Sequence, residues 1–292
     1  MRIRAPAKIN LHLRVGPPRA NGFHPLLTWM CTISLFDELE FEGGSGDRAG
    51  GCIELTCDDP AIPTGADNLI IKAATALGAA GRSANIKLLK RIPVGGGLAG
   101  GSSDAAHTLV GLNRLWTLNR TNAELAATAA RIGSDIPFFF SGPSSVCTGL
   151  GEVVRPIRPP NAKWAVLICP PYGMPTPKVY RRFDELGLGA KRAIEEEPNW
   201  QDWAESPAEK LLTLLVNDLE KPAFDLNPAL GDLRVNWEKR LKRTVRMSGS
   251  GSTLFTLYDT PGLAEVARNG AVSKASAGEY FHVVELAPPT SD

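Results

Sequence analysis

Five glycines fall within residues 95–101, in the run Pro93-Val94-Gly95-Gly96-Gly97-Leu98-Ala99-Gly100-Gly101-Ser102-Ser103-Asp104-Ala105-Ala106. Glycine admits backbone conformations that a Cβ forbids. A strand-like run, 85–91, precedes them, and an Ala/Leu-rich helical pattern follows through Leu109, Leu112 and Trp116. A glycine loop that empties into a helix start leaves backbone N–H groups without partners at the positive end of the helix dipole. Such an end is an anion cradle, and the anion it best fits here is a nucleotide phosphate. The plain alternative is a glycine-rich surface turn with no ligand.

Two better-known loops do not fit. A Walker A loop closes on Gly-Lys-[Ser/Thr], whereas Gly101 is followed by Ser102. The dinucleotide fingerprint G-x-G-x-x-G matches at Gly95, Gly97 and Gly100. It also needs a second parallel strand after the helix, with an acidic residue about 20 positions on. Residues 114–120 lead instead into another helical pattern, 122–132.

Three further segments carry residues able to do chemistry. Lys8 and Asn10 lie two apart in an alternating stretch and so share one strand face. His24 follows the turn Asn21-Gly22-Phe23, and Asp135 follows Gly133, which ends a helix and leads into an apolar stretch. Taken singly, each has a plain reading: a solvent-facing lysine, a turn histidine, a turn aspartate.

The elements that must position these residues read as α+β. Residues 3–15 alternate as a half-buried strand, 26–42 as one or two more, and 52–57 as the return strand of a hairpin closed by the glycine-rich connection 43–51. A helix is expected over 69–80 behind Asp67-Asn68, then strands at 137–140, 144–148 and 152–157. Residues 158–161 read as a domain boundary, which divides the chain into 1–158 and 162–292. Beyond it come strands at 164–169, 244–247, 254–258 and 280–286, with helices at 176–185, 208–215, 228–241 and 263–269. Residues 187–206 read as a variable surface segment, and Glu195-Glu196-Glu197 within it as a solvated face. Strands and helices without regular βαβ alternation favour α+β over a doubly wound sheet.

Composition narrows the class. The 292 residues are 43% hydrophobic and 22% charged, with a formal net charge of +1. That balance argues against a nucleic-acid or anionic-membrane partner, and no clustered Lys/Arg face carries interleaved aromatics. No apolar stretch is long enough to span a bilayer. Five scattered cysteines fit reduced thiols in a cytoplasmic protein. His12, His24, His107 and His282 show no zinc spacing, so no metal ligand is expected from the protein.

Taken in order, these pieces resemble the GHMP small-molecule kinases. The resemblance rests on Pro93, Gly97-Leu98-Ala99, Gly101-Ser102-Ser103 and Ala105-Ala106, with Lys8/Asn10, Gly22-Phe23-His24 and Gly133-Ser134-Asp135-Ile136-Pro137-Phe138-Phe139 in family order. Further similarity lies at Thr148-Gly149-Leu150-Gly151-Glu152, Pro175-Thr176-Pro177, Asn217-Asp218-Leu219-Glu220 and Ser248-Gly249-Ser250-Gly251. It covers nearly the whole chain except about 187–207 and the extreme C-terminus.

The resemblance implies a two-domain fold, with an N-terminal ATP domain like domain 2 of ribosomal protein S5 and a C-terminal ferredoxin-like α/β plait. The active site is expected between the two domains. It implies ATP with Mg²⁺ as phosphoryl donor. The phosphates would lie on Pro93, Val94, Gly95, Gly96, Gly97, Leu98, Ala99, Gly100, Gly101, Ser102 and Ser103, with Asn68 as an adenine contact and Ser103 as a hydroxyl near the ion. Asp135 is implied as general base and Lys8 as its cationic partner. The acceptor implied is a cytidine diphosphate-linked methylerythritol of the non-mevalonate isoprenoid route, phosphorylated at its 2-hydroxyl. It would be held by Asn10, Phe23, His24, Thr176, Pro177 and Tyr180, the last stacking on cytosine.

Homoserine or mevalonate-type acceptors, and a non-catalytic nucleotide-binding regulator, are the alternatives. A monomer or weak homodimer is expected. Two positions depart from the family pattern. Asn21-Gly22-Phe23-His24 stands where Asp-Gly-Tyr-His is usual, and Asp104 stands where many members carry Asn. A carboxylate at 104 would repel a nearby phosphate unless Mg²⁺ or a turned-away rotamer relieves it.

Overall fold

The alternation of residues 3–15 becomes strand β1 (Arg2–Val15). Ile9 and Leu11 are buried as expected, but Lys8 and Asn10 on the opposite face are buried too. The computed structural model describes residues 1–44, 51–78 and 81–288. Its contacts divide the chain into two units that interleave in sequence. One comprises Met1–Ala7, Leu35–Ile92 and Ala99–Gly142, the other Lys8–Ser34, Pro93–Leu98 and Pro143–Asp292. They interleave because β1 and the long strand β2 (Leu26–Gly43) each contribute to both.

In the first unit, β2 is followed by β3 (Ile53–Cys57), α1 (Leu69–Ala76), β4 (Ala84–Leu89), α2 (Gly100–Leu115) and α3 (Asn122–Ala129). β4 pairs antiparallel with the second half of β2, Glu38 opposite Leu89. β3 pairs parallel with β4, Ile53 opposite Ala84. This corrects the hairpin reading of 52–57. A parallel pair needs a crossover, and α1 supplies it between β3 and β4. Of the connection 43–51, residues 45–50 lie outside the described residues, as do 79–80 at the end of the expected helix 69–80.

α1 is capped by Asn68, whose Oδ1 accepts the N–H of Ile70 at 2.9 Å. α3 carries a capping box of Thr121 and Glu124. The expected strand at 137–140 is a 3-10 turn, Pro137–Phe140, because the proline stands in its first turn and the preceding Ile136 is already helical. Leu39 and Phe41 of β2, Ile86 and Leu88 of β4, and Ala105, Leu109 and Leu112 of α2 close one apolar core.

In the second unit, β5 (Ser144–Thr148) pairs with the first half of β2 and with β6 (Val153–Pro156). Then come β7 (Trp164–Cys169), α4 (Thr176–Glu185), α5 (Arg192–Glu195), α6 (Trp200–Glu205), α7 (Ala208–Leu214), α8 (Glu220–Leu226), α9 (Pro228–Leu241), β8 (Arg246–Met247), β9 (Leu254–Tyr258), α10 (Pro261–Val272) and β10 (Tyr280–Glu285). An antiparallel sheet runs in the order β10-β7-β9-β8. Val179 and Phe183 of α4, Trp237 of α9 and Leu254 of β9 pack with Leu13 and Val15.

The segment 187–206 is not merely a surface excursion. Trp200 is buried, with ring centroids 5.8 Å from Trp29 and 5.9 Å from His12. An indole offers so much apolar area that sequestering it anchors the segment. Glu195 and Glu196 pair with Lys191 and Arg192 on the exposed turn of α5, and Glu197 pairs with Arg155.

Candidate functional site

The glycine loop is fastened through its carbonyls. Gly95 O accepts the N–H of Met174 at 3.1 Å, Gly96 O that of Thr253 at 3.1 Å, and Leu98 O that of Lys8 at 3.0 Å. Gly97 O accepts the hydroxyl of Ser248 at 3.0 Å, with the Lys8 ammonium at 3.5 Å. Four consecutive carbonyls, from Gly95 to Leu98, are thus turned into the fold, which leaves the amide N–H groups of that stretch to meet an anion. Gly97 has φ +76, and a Cβ there would stand 2.2 Å from Ser248 O. Only glycine permits both that conformation and that approach.

Lys8 and Asn10 stand beside this loop. The Lys8 ammonium donates to Asn10 Oδ1. Asn10 Nδ2 donates to Thr28 Oγ1 at 2.8 Å, and Thr28 donates in turn to His12 O at 2.7 Å. The backbone N–H of Asn10 donates to Ser248 Oγ at 3.1 Å. The chain of donors fixes which way the amide faces: its oxygen meets the lysine because its nitrogen is taken by Thr28. Lys8, Asn10 and Thr28 are all buried, so Lys8 is far from the solvent-facing lysine of the plain reading. Among neighbours, His12 accepts the N–H of Val216 at Nδ1, and burial, with help from Arg14 and Arg246, lowers its pKa to about 3.

The residues assigned to a cytosine subsite form a second group. His24 is buried, its Nδ1–H donating to Gly16 O at 2.9 Å. Its Nε2 lies 3.2 Å from Asp184 Oδ1, and its ring centroid lies 5.3 Å from Tyr180 and 5.5 Å from Phe183. Phe23 is 60% exposed, held by a turn in which its N–H donates to Asn21 Oδ1 at 3.1 Å. Thr176, at the start of α4 with Pro177, shares a 2.7 Å hydroxyl contact with Ser250.

In the first unit, α2 begins without a side-chain cap: Ala99 stands at the N-cap in the left-handed region, φ 53. The first-turn N–H groups are therefore open to an external acceptor. Gly101 is exposed and Ser102 half-buried, whereas Ser103 is fully buried with its hydroxyl 3.4 Å from His107 Nδ1. Asn68 spends its amide on the α1 cap and on a donation to Pro63 O at 2.6 Å. Asp135 is half-buried in the turn between α3 and the 3-10 turn.

Asp104 is turned inward. Its Oδ2 accepts Lys90 Nζ at 2.8 Å, and the same ammonium reaches Asp37. Burial pushes the Asp104 carboxyl up to about 7. Burial also opposes the charge on Lys90, but Asp104 and Asp37 together outweigh it and raise its pKa. The turned-away rotamer thus answers the repulsion expected at 104. Asp37 and Lys90 went unnoticed as sequence features. Parity was the available signal, since Asp37 shares its strand face with the buried Leu39 and Phe41. No comparable signal marks Thr28 or Ser248 as supports of the loop.

Across the described residues no group of three or more His, Cys, Asp and Glu side chains is placed to hold a metal, and no helix is long and apolar enough to cross a membrane. No disulfide joins any of the five cysteines.

The family model of the GHMP kinases N terminal domain matches residues 68–143, from the α1 cap past the 3-10 turn. A crystal structure of mevalonate kinase shares the fold at a TM-score of 0.71 and 13% identity, covering 98% of this chain and 99% of that one. These likenesses give the chain the GHMP kinase fold. Closer kinship is specific. The 4-diphosphocytidyl-2-C-methyl-D-erythritol kinase of a Nocardioides species is 39% identical over 289 residues, 98% of this chain and 95% of that relative. The kinase of the same name from Prochlorococcus marinus is 39% identical over 281 residues, 91% of this chain and 86% of that relative. A crystal structure of 4-(cytidine 5'-diphospho)-2C-methyl-D-erythritol kinase superposes at a TM-score of 0.77 and 33% identity, covering 98% and 99% of the two chains. The chain belongs to the 4-diphosphocytidyl-2-C-methyl-D-erythritol kinase family.

Proposed function

We propose that the protein transfers the γ-phosphoryl group of ATP to the 2-hydroxyl of 4-diphosphocytidyl-2-C-methyl-D-erythritol, giving the 2-phosphate and ADP in non-mevalonate isoprenoid precursor synthesis. The observation that carries this reading is kinship along nearly the full length with kinases of that name. The uncapped start of α2 behind a loop fastened by its carbonyls supports the nucleotide half. The pairing of His24 with Tyr180 supports an aromatic base in the acceptor. Residues 1–158 and 162–292 are taken as the N- and C-terminal kinase domains, and the site of action as the cytoplasm.

Phosphoryl transfer needs positioning and charge stabilisation more than covalent chemistry. In this reading the backbone N–H groups between Val94 and Ser102 hold the phosphates, and Asp135 takes the proton of the attacking hydroxyl. Lys8, oriented by Asn10, stabilises the negative charge that develops on the transferring group. Mg²⁺ would accompany ATP and ease the charge on the transferring phosphoryl group, held mainly by phosphate oxygens and water, as this ion prefers.

A panel of acceptors with ATP and an ADP-release readout tests the proposal. Turnover is expected with the cytidine diphosphate acceptor and not with homoserine or mevalonate; the reverse preference refutes it. Asp135→Ala is expected to leave ADP affinity intact and to cut kcat by about 10²–10⁴-fold. Near-normal turnover in the folded variant removes Asp135 from the mechanism.

A further inference from the structure

Three ionisable side chains of the first unit lie buried against one another, two of them on the stretches that flank the glycine loop in sequence, and the chemistry proposed above uses none of them. Side-chain exposure is 0% for Asp37, 8% for Lys90 and 4% for Asp104. Two acids share one ammonium there. A buried ionic group of this kind is seldom retained for stability alone, since well-packed apolar residues of similar volume do as well or better.

The placement of the three groups indicates another use. Lys90 and the residues after it, Arg91 and Ile92, form the stem that leads into the loop. Asp104 lies on α2, the stem that leads out. The Lys90 ammonium joins the two by donating to Asp104 Oδ2 at 2.8 Å and to Asp37 on β2. Asp37 grips the leading stem a second time, because its Oδ1 accepts the backbone N–H groups of Arg91 and of Ile92, the latter at 2.8 Å. The first residue of α2 is shaped to this arrangement: a Cβ on Gly100 would lie 3.0 Å from Lys90 Nζ and 3.0 Å from Ile92 Cγ2. Gly100 therefore leaves room for the ammonium to pass beneath the start of the helix.

We propose that Asp37, Lys90 and Asp104 form a clamp that fixes the spacing of the two loop stems, making Lys90 and Asp104 positioning residues for nucleotide binding. The inference rests on the reading of the loop as a phosphate cradle. Amides hold an anion well only when they are already aimed at it. Between the stems, 93–99 is glycine-rich, and the hydrogen bonds to its carbonyls hold its middle without setting the spacing of its ends. The clamp fixes those two ends by joining one stem to the other. Asp104 serves the clamp as the acceptor of the Lys90 ammonium, a role that the oxygen of an amide can also fill.

The test compares Asp104→Leu, Asp104→Asn and Gly100→Ala with the parent protein. ADP affinity is measured by calorimetry, KM for ATP and acceptor by steady-state kinetics, and folding by thermal melts. Asp104→Leu is expected to weaken ADP and raise the KM for ATP at least tenfold while the acceptor KM stays within twofold. Asp104→Asn, which keeps an acceptor for the ammonium, is expected to restore ADP affinity to within threefold of the parent. Should Asp104→Leu fail to fold, Gly100→Ala carries the same expectation of weakened ADP, although alanine ordinarily favours a helix over glycine.

Parent-like ADP affinity in folded Asp104→Leu or Gly100→Ala overturns the clamp. So does an equal rise in both KM values. A parent protein that binds no ADP overturns the kinase reading together with the clamp, and is thereby distinguished from failure of the clamp alone.

Discussion

Replacing Gly97 by alanine should separate glycines that the fold requires from glycines that the ligand requires. Gly97 has φ +76, where a Cβ-bearing residue pays about 1–2 kcal/mol. The new methyl would also stand 2.2 Å from Ser248 O and 3.2 Å from Gly251 N, both backbone atoms. The first cannot retreat freely: Ser248 also receives the Asn10 N–H on its hydroxyl and donates its own N–H to Thr253 O. Overpacking of this kind costs about 1–3 kcal/mol, so Gly97→Ala should lose roughly 2–5 kcal/mol of stability. That is a large share of the ~5–15 kcal/mol of an ordinary fold. Gly101 is the control. It is exposed in the first turn of α2, and its added Cβ would meet only Leu69 Cδ1, at an ordinary 3.6 Å. Alanine there should leave stability unchanged or raise it by up to about 1 kcal/mol. If phosphates lie over the start of α2, the same substitution should weaken ADP severalfold. Urea denaturation of both variants, paired with ADP calorimetry, reads the two effects. A Gly97→Ala protein within 0.5 kcal/mol of the parent would refute the steric argument. Undiminished ADP affinity in Gly101→Ala would sink the cradle.

His24→Ala should raise the acceptor KM far more than the ATP KM in steady-state assays, since His24 packs against Tyr180 and Phe183; equal effects would assign it to folding. Thr28→Val leaves Asn10 Nδ2 without its 2.8 Å acceptor. It should lower kcat and cost about 1–3 kcal/mol in a thermal melt, with Thr28→Ser restoring both. His12 is held neutral, its pKa lowered to about 3 against 6.5 when unfolded. The unfolded chain therefore binds the extra proton between those values, and stability falls as pH drops below 6.5. The loss should reach about 2 kcal/mol between pH 7 and pH 5. His12→Asn keeps an acceptor for the Val216 N–H and should flatten that slope in pH-dependent urea titrations; an unchanged slope removes His12 as its cause.

The local framework of the candidate site was legible from residue order because its parts are contiguous. The glycine run into α2 declares itself through the conformational freedom of one residue type and the periodicity that follows it. Alternation marked β1, and with it the shared face of Lys8 and Asn10. Failures came where a partner distant in sequence decided the outcome. Residues 52–57 read as the return of a hairpin, yet β3 pairs with β4 because α1 carries the chain across. Residues 137–140 failed for a local reason instead: they are apolar enough for a strand, yet their own proline starts a 3-10 turn. The segment 187–206 read as a variable surface stretch, yet Trp200 within it packs against Trp29.

Asp104 shows the division most clearly. Its sequence position next to the phosphate loop identified an electrostatic conflict, and named a turned-away rotamer as one remedy. Only the tertiary structure decided which way the carboxylate faces, because the ammonium it meets stands 14 residues away and the acid sharing that ammonium 53 residues from it. Local propensities and periodicity set what each segment is able to become; the pairing of buried charges depends on strand register and helix packing, which no single segment contains.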